Sequence, residues 1–185
     1  LKARSHYSIL EGSIKIDDLV DYAVKDDMPS LALTDNGNLF GAFEFTKKAI
    51  KNNIQPILGS NILVGYGEDP ILESGFFRVT CLIINEKGWK NLSHIVSKSY
   101  LNNKIYNIRF IEINELCNFN NGLIVLFNDA SNNNFISQSS SEYKFIKTLL
   151  NSFGDRLYLD LYREHSGYTS FNEANLLMLS DKYDL

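Results

Sequence analysis

A chain of 185 residues that is 44% hydrophobic and 12% aromatic is long enough to bury a substantial core and falls in the size range of one domain. Its 18 Lys and Arg against 22 Asp and Glu give a formal charge of -4, which excludes a broad basic footprint for nucleic acid, because phosphate binding draws on clustered cations. No apolar run approaches the roughly 20 residues of a membrane helix and no signal-type apolar region follows the first residues, so a cytoplasmic protein without membrane association is expected.

From Ile16, the apolar positions Leu19, Val20, Ala23 and Val24 recur at helical spacing, while Asp17, Asp18, Asp21 and Lys25 fill the other face. Pro29 ends that helix, because the residue before a proline is pushed out of the α region. Residues 30–35 form a short apolar run that reads as a buried strand ending in a carboxylate. Asn36-Gly37-Asn38 supplies a turn, and Leu39, Ala42, Phe43, Thr46, Ala49 and Ile50 continue as a second helix. A second strand is expected over residues 54–64 across Gly59, and a third over 77–84 after a loop holding Gly65, Gly67 and Pro70. Trp89, Leu92, Ile95, Val96 and Tyr100 mark a helix and residues 122–127 a fourth strand. Tyr143, Ile146, Lys147 and Leu150 mark a helix that Gly154 stops. Residues 156–161 give the last strand and 171–181 the last helix. Strands alternating with amphipathic helices predict an α/β fold with a mainly parallel sheet, open or closed into a barrel. Asn132-Asn133-Asn134 and Ser139-Ser140-Ser141 read as a solvated surface loop within one domain.

In parallel α/β folds the chemistry collects in the loops after the strands' C-terminal ends. Here Asp35 and Asn36 close one strand, Asn61 lies within the next, and Asn128-Asp129 follow another. Asp-Asn-Gly is itself a turn signal, so Asp35 also fits a turn or capping residue. His6, His94 and His165 are too scattered for a zinc cluster; His94 sits beside the apolar face of its helix, as a half-buried histidine would, and His165 falls in a surface turn. Cys81 and Cys117 lack CxxC spacing and read as reduced thiols. The sequence carries no nucleophile elbow, P-loop or dinucleotide fingerprint.

Three opening segments carry a family resemblance: Tyr7-Ser8-Ile9-Leu10-Glu11-Gly12, then Met28-Pro29-Ser30-Leu31-Ala32-Leu33-Thr34-Asp35-Asn36-Gly37-Asn38-Leu39-Phe40-Gly41, then Gln55-Pro56-Ile57-Leu58-Gly59. They resemble the start of the PHP (polymerase and histidinol phosphatase) domain at the N-terminus of bacterial replicative DNA polymerase III alpha subunits. Asn85-Glu86-Lys87-Gly88-Trp89-Lys90-Asn91-Leu92, Gly122-Leu123-Ile124-Val125-Leu126 and Phe153-Gly154-Asp155-Arg156-Leu157-Tyr158-Leu159 extend the similarity, in order, along essentially the whole chain.

The resemblance implies a distorted parallel (β/α) barrel of the PHP type over residues 1–185, C-terminally truncated, with its final strands beyond Leu185. It also implies a parent polymerase whose magnesium-holding site lies downstream, so that DNA is met only through the parent chain and this piece holds no cofactor of its own. In PHP enzymes His, Asp, Glu and Cys side chains from the strand ends hold up to three metals and cleave phosphoesters. Residue by residue, that set is broken here. The opening His-x-His pair falls on Lys2 and Arg4, the His after Thr-Asp falls on Asn36, and the Glu of the next strand falls on Asn61. Glu11 keeps an acidic ligand position, Asp35 closes its strand, and Asp129 stands where many relatives have Cys. Arg4, together with Lys2, is expected to pair with one or more of these carboxylates in place of the ion.

The expected role is a metal-free structural domain that supports the polymerase, with the proofreading exonuclease subunit as a candidate partner. One alternative is an active metal-dependent phosphoesterase or 3′–5′ proofreading exonuclease, which would need the missing imidazoles and carboxylates. Another is a free-standing histidinol-phosphatase-like enzyme, which the polymerase-type Leu39-Phe40-Gly41 block disfavours. Leu1 in place of Met, and a helical pattern running uncapped into Leu185, lead to the expectation that both ends are cut. The piece alone is then expected to be poorly stable, because unpaired strand edges aggregate.

Overall fold

The two hydrophobic periods of the sequence become alternating strands and helices in the computed structural model, which describes residues 2–67, 75–101, 108–127, 141–161 and 169–183. Helix α1 (Ile16–Lys25) buries Ile16, Val20 and Ala23, and its acidic first turn and basic last turn suit the helix dipole. There follow β1 (Ser30–Asn36), α2 (Ala42–Lys51), β2 (Gln55–Gly65), β3 (Phe76–Ile83) and α3 (Glu86–Leu101). Beyond them come β4 (Ile111–Glu112), α4 (Ile113–Asn118), β5 (Leu123–Phe127), α5 (Ser141–Phe153), β6 (Leu157–Leu159) and α6 (Thr169–Tyr183).

Among the described residues the sheet runs β1-β2-β3-β5-β6, with β4 added beside β2. The pairs β1–β2, β2–β4 and β5–β6 are parallel, which bears out the α/β expectation. One strand departs from it: β3 is antiparallel to both β2 and β5. The sequence between β2 and β3 is too short for the crossover that a parallel neighbour needs, whereas an antiparallel neighbour needs only a turn. Strand β4 and helix α4 had no counterpart in the sequence reading, because elements of 2 and 6 residues show no period.

Period-two alternation sorts the strands into two faces. Leu33, Ile62, Val64, Phe77, Val79, Cys81, Leu123, Val125 and Phe127 point to the side where the helices pack. Around α1 and α2, a smaller cluster joins Ile16, Val20, Phe45 and Ala49 to Leu33 and Ile54. In the larger cluster Phe145 of α5 stacks on Phe77, ring centroids 4.2 Å apart, with Phe127 at 5.9 Å. The alternate positions, among them Asn36, Asn61, Arg78 and Thr80, fall on the face away from the helices, as they would inside a barrel. The start of the chain extends this sheet: Ala3 forms a parallel bridge with Leu33, through Ala3 N to Ala32 O at 3.3 Å and Thr34 N to Ala3 O at 2.8 Å.

Candidate functional site

Because Ala3 pairs in register with Leu33, its neighbours Lys2 and Arg4 turn to the face that carries Asn36 and Asn61. A tight loop brings Glu11 to meet them. Glu11 N and Gly12 N both donate to Ser8 O, at 3.0 and 2.8 Å, and Leu10 takes a left-handed φ of 71°. Gly12 is required there, since a Cβ would lie 2.2 Å from Ser5 O.

A continuous polar chain results. Arg4 Nη1 donates to Glu11 Oε2 at 2.8 Å, and Asn36 Nδ2 donates to the same oxygen at 2.5 Å. Asn61 Nδ2 donates to Asn36 Oδ1 at 2.9 Å and to Thr34 O at 3.0 Å. Thr80 Oγ1 closes the chain on Asn61 Oδ1 at 2.5 Å. Asn61 and Thr80 are buried, whereas Arg4 and Glu11 lie at the solvent end.

Asp35 serves a different role from the one expected of a cation partner. Its buried carboxylate accepts from Ser5 N at 2.7 Å, Ser5 Oγ at 2.8 Å and Ser8 Oγ at 2.6 Å, which pins the Glu11 loop to the end of β1. Lys2 reaches Asp160, just past β6 at the far edge of the sheet, in a partly buried ion pair. Asp160, Ser5, Ser8 and Thr80 are site residues that the sequence reading missed; for Asp160, the alternation that buries Leu157 and turns Tyr158 outward was the available signal.

Asp129, Asn128, His165 and most of the Asn- and Ser-rich tracts lie outside the described residues. His94 corrects the expectation of a half-buried histidine: it is exposed, stacks on Phe119 at 4.0 Å between centroids, and meets Glu115 Oε1 at 3.0 Å. Cys81 is fully buried and Cys117 partly so, both as free thiols. Burial pushes the Cys81 thiol up to about 12.

The family's metals can be tested against this donor set. Lys2 and Arg4 donate rather than ligate, and Glu11, Asp35 and Asp160 are each engaged by donors of this chain. Among the described residues no three His, Cys, Asp or Glu side chains gather as a metal-holding group. The described residues therefore do not fit the metal cluster. No described helix is long and apolar enough to cross a membrane.

Comparison with known proteins gives the same picture of kinship. The chain is 29% identical over 184 residues to a DNA polymerase III subunit alpha of Rickettsia felis and 34% identical over 175 residues to that of Borreliella burgdorferi. Those alignments cover 97% and 88% of this chain. The chain spans only 15% of the length of these curated relatives. Among solved structures, a proposed metal-dependent phosphoesterase from Bifidobacterium adolescentis superposes with a TM-score of 0.64 at 13% identity, covering 100% of this chain and 83% of that one, a likeness of fold. The PHP domain profile matches residues 1–164, and on that match this chain belongs to the PHP domain family.

Proposed function

We propose that this chain is the PHP part of a bacterial replicative DNA polymerase III alpha subunit, and that its PHP site is a metal-free structural element. Similarity to alpha subunits along nearly the whole chain supports the first half. The observation that carries the second is the Arg4 guanidinium seated on Glu11, with Asn36 sharing the same carboxylate oxygen. A permanent positive charge about 4 Å from a divalent ion costs on the order of 8 kcal/mol at an effective dielectric near 20. No carboxylate free of other partners stands beside it among the described site residues to offset that cost.

In this reading the ion pairs Arg4–Glu11 and Lys2–Asp160 take the place of bridging metals and hold the N-terminal segment to the sheet. Exposed Ile9, Leu10, Phe40 and Phe43 offer an apolar surface to the rest of the polymerase, with the proofreading exonuclease subunit as a second candidate partner. Nucleotide transfer with magnesium belongs to other parts of the parent chain.

The test uses the full-length polypeptide that carries this chain. It is expected to extend a DNA primer, and Glu11→Ala is expected to leave that rate unchanged while no 3′–5′ excision is seen in either protein. Excision stimulated by manganese or zinc and abolished by Glu11→Ala would overturn the reading.

A further inference from the structure

We propose that Asn121-Gly122, in the turn that leads into β5, is a site of spontaneous covalent modification at which Asn121 loses ammonia and becomes aspartate and isoaspartate. The sequence holds this dipeptide twice, at Asn36-Gly37 and at Asn121-Gly122. Asparagine before glycine is a chemically labile pair, because no side chain on the glycine hinders ring closure. The fold treats the two copies in opposite ways.

Asn36-Gly37 is held at the atoms that would react. The Asn36 amide donates through Nδ2 to Glu11 Oε2 at 2.5 Å and accepts at Oδ1 from Asn61 Nδ2 at 2.9 Å. Gly37 N, the nucleophile, donates to Asn61 O at 2.8 Å, and Asn36 O accepts from Asn38 Nδ2 at 3.0 Å. At the second copy the flanks are held instead. Leu123 N donates to Asn120 O at 3.2 Å, and Arg156 Nη1 donates to Asn120 O at 2.6 Å and to Leu123 O at 2.8 Å. Between them, the peptide is fixed by one bond, from Asn91 Nδ2 to Asn121 O at 2.7 Å. Asn121 is exposed, and neither its side-chain amide nor the Gly122 N–H has a hydrogen-bond partner among the described residues. The turn cannot exchange its glycine: Gly122 has a φ of 76°, and a Cβ would lie 2.4 Å from Asn85 Oδ1 and 2.5 Å from Gly88 N.

In the reaction Gly122 N gives up its proton and bonds to Asn121 Cγ; the Cγ–Nδ2 bond breaks, the proton leaves with ammonia, and a succinimide ring remains. Water then opens the ring. Attack at Cγ gives aspartate, and attack at the main-chain carbonyl gives isoaspartate, whose main chain runs through Cβ and Cγ. Neither an oxidant nor a metal takes part. Isoaspartate lengthens the main chain by one atom where α3 and β5 meet most closely. Gly122 O accepts from Ile84 N at 2.9 Å and stands 1.9 Å from where a Cβ of Gly88 would lie, while buried Asn91 depends on Asn121 O. Modification therefore loosens the junction of α3 with β5.

The test incubates the full-length polypeptide at mildly alkaline pH in water enriched in heavy oxygen, then maps its peptides by mass spectrometry. Heavy oxygen in a product marks ring opening during the incubation rather than during digestion. The Asn121 peptide is expected to gain about 1 Da beyond the isotope label and to split into two isomers. Its rate should exceed that of the Asn36 peptide by about tenfold or more, because more hydrogen bonds must open at Asn36. In urea the two rates should converge. Asn121→Gln should stop the reaction at this turn, since the longer side chain closes its ring far more slowly. Hydrogen exchange over residues 84–92 should quicken in the aged wild type and stay unchanged in aged Asn121→Gln. Conversion of Asn36 as fast as Asn121 in the folded protein would overturn the inference, as would an Asn121 that stays intact while the urea-unfolded chain converts. Unchanged exchange in chains shown to carry isoaspartate would overturn the loosened junction.

Discussion

Asn61 connects more of the site than any carboxylate does: it donates to Thr34 O and Asn36 Oδ1 and accepts from Thr80 Oγ1, all beside a buried backbone. An amide can both donate and accept, which a metal-binding Glu at the same place could not do while ionised. Asn61→Leu removes these bonds and strands the buried Thr80 hydroxyl. At about 1–3 kcal/mol per unsatisfied buried group, the loss should be roughly 2–4 kcal/mol, read as a lower urea midpoint with an unchanged slope. Stability within about 0.5 kcal/mol of wild type, the range of an ordinary surface change, would show the network to be incidental. That Arg4 meets a site carboxylate was legible in the sequence, because it falls on a ligand position and needed a counter-charge within reach; the choice of Glu11 over Asp35 and Asp129 was not. The bond from Asn36 to the same oxygen was not, since it depends on a loop fixed by Gly12 and by the left-handed Leu10.

Elements with a clear period were legible to within about three residues at their ends; those whose placement depends on other parts of the chain were not. Helix α1 and strand β1 lie where their apolar spacing puts them. The antiparallel course of β3 is a property of its connection, and β4 exists only through its pairing with Val64 and Gly65. Gly88 shows how an element is constrained from outside. It sits in the first turn of α3, where Ala would ordinarily gain about 1 kcal/mol of helix propensity. A Cβ there would lie 1.9 Å from Gly122 O, a backbone atom held at the left-handed turn into β5. Overpacking of about 1–3 kcal/mol then outweighs the gain, so Gly88→Ala should lower the thermal midpoint. A rise in that midpoint would show that α3 is free to shift away from the turn.

At the scale of the whole molecule, the sheet face away from the helices is lined near its strand ends by donors and by paired charges. Lys2, placed outside β1 by the Ala3 bridge, meets Asp160 beyond β6, so one ion pair spans from one edge of the described sheet to the other. Fold class and kinship were legible from strand and helix alternation and from the Met28–Gly41 segment. The pairing across the sheet was not, because Lys2 and Asp160 lie at opposite ends of the sequence. Metal analysis of the full-length polypeptide after exhaustive dialysis tests the metal-free site most directly, set beside the combined variant Lys2→His, Arg4→His, Asn36→His and Asn61→Glu. The wild type should retain no stoichiometric zinc, manganese or iron, while the variant with imidazoles and a carboxylate at those four places should gain it. Zinc, manganese or iron retained at one or more ions per wild-type chain, and lost on Glu11→Ala, would contradict the account.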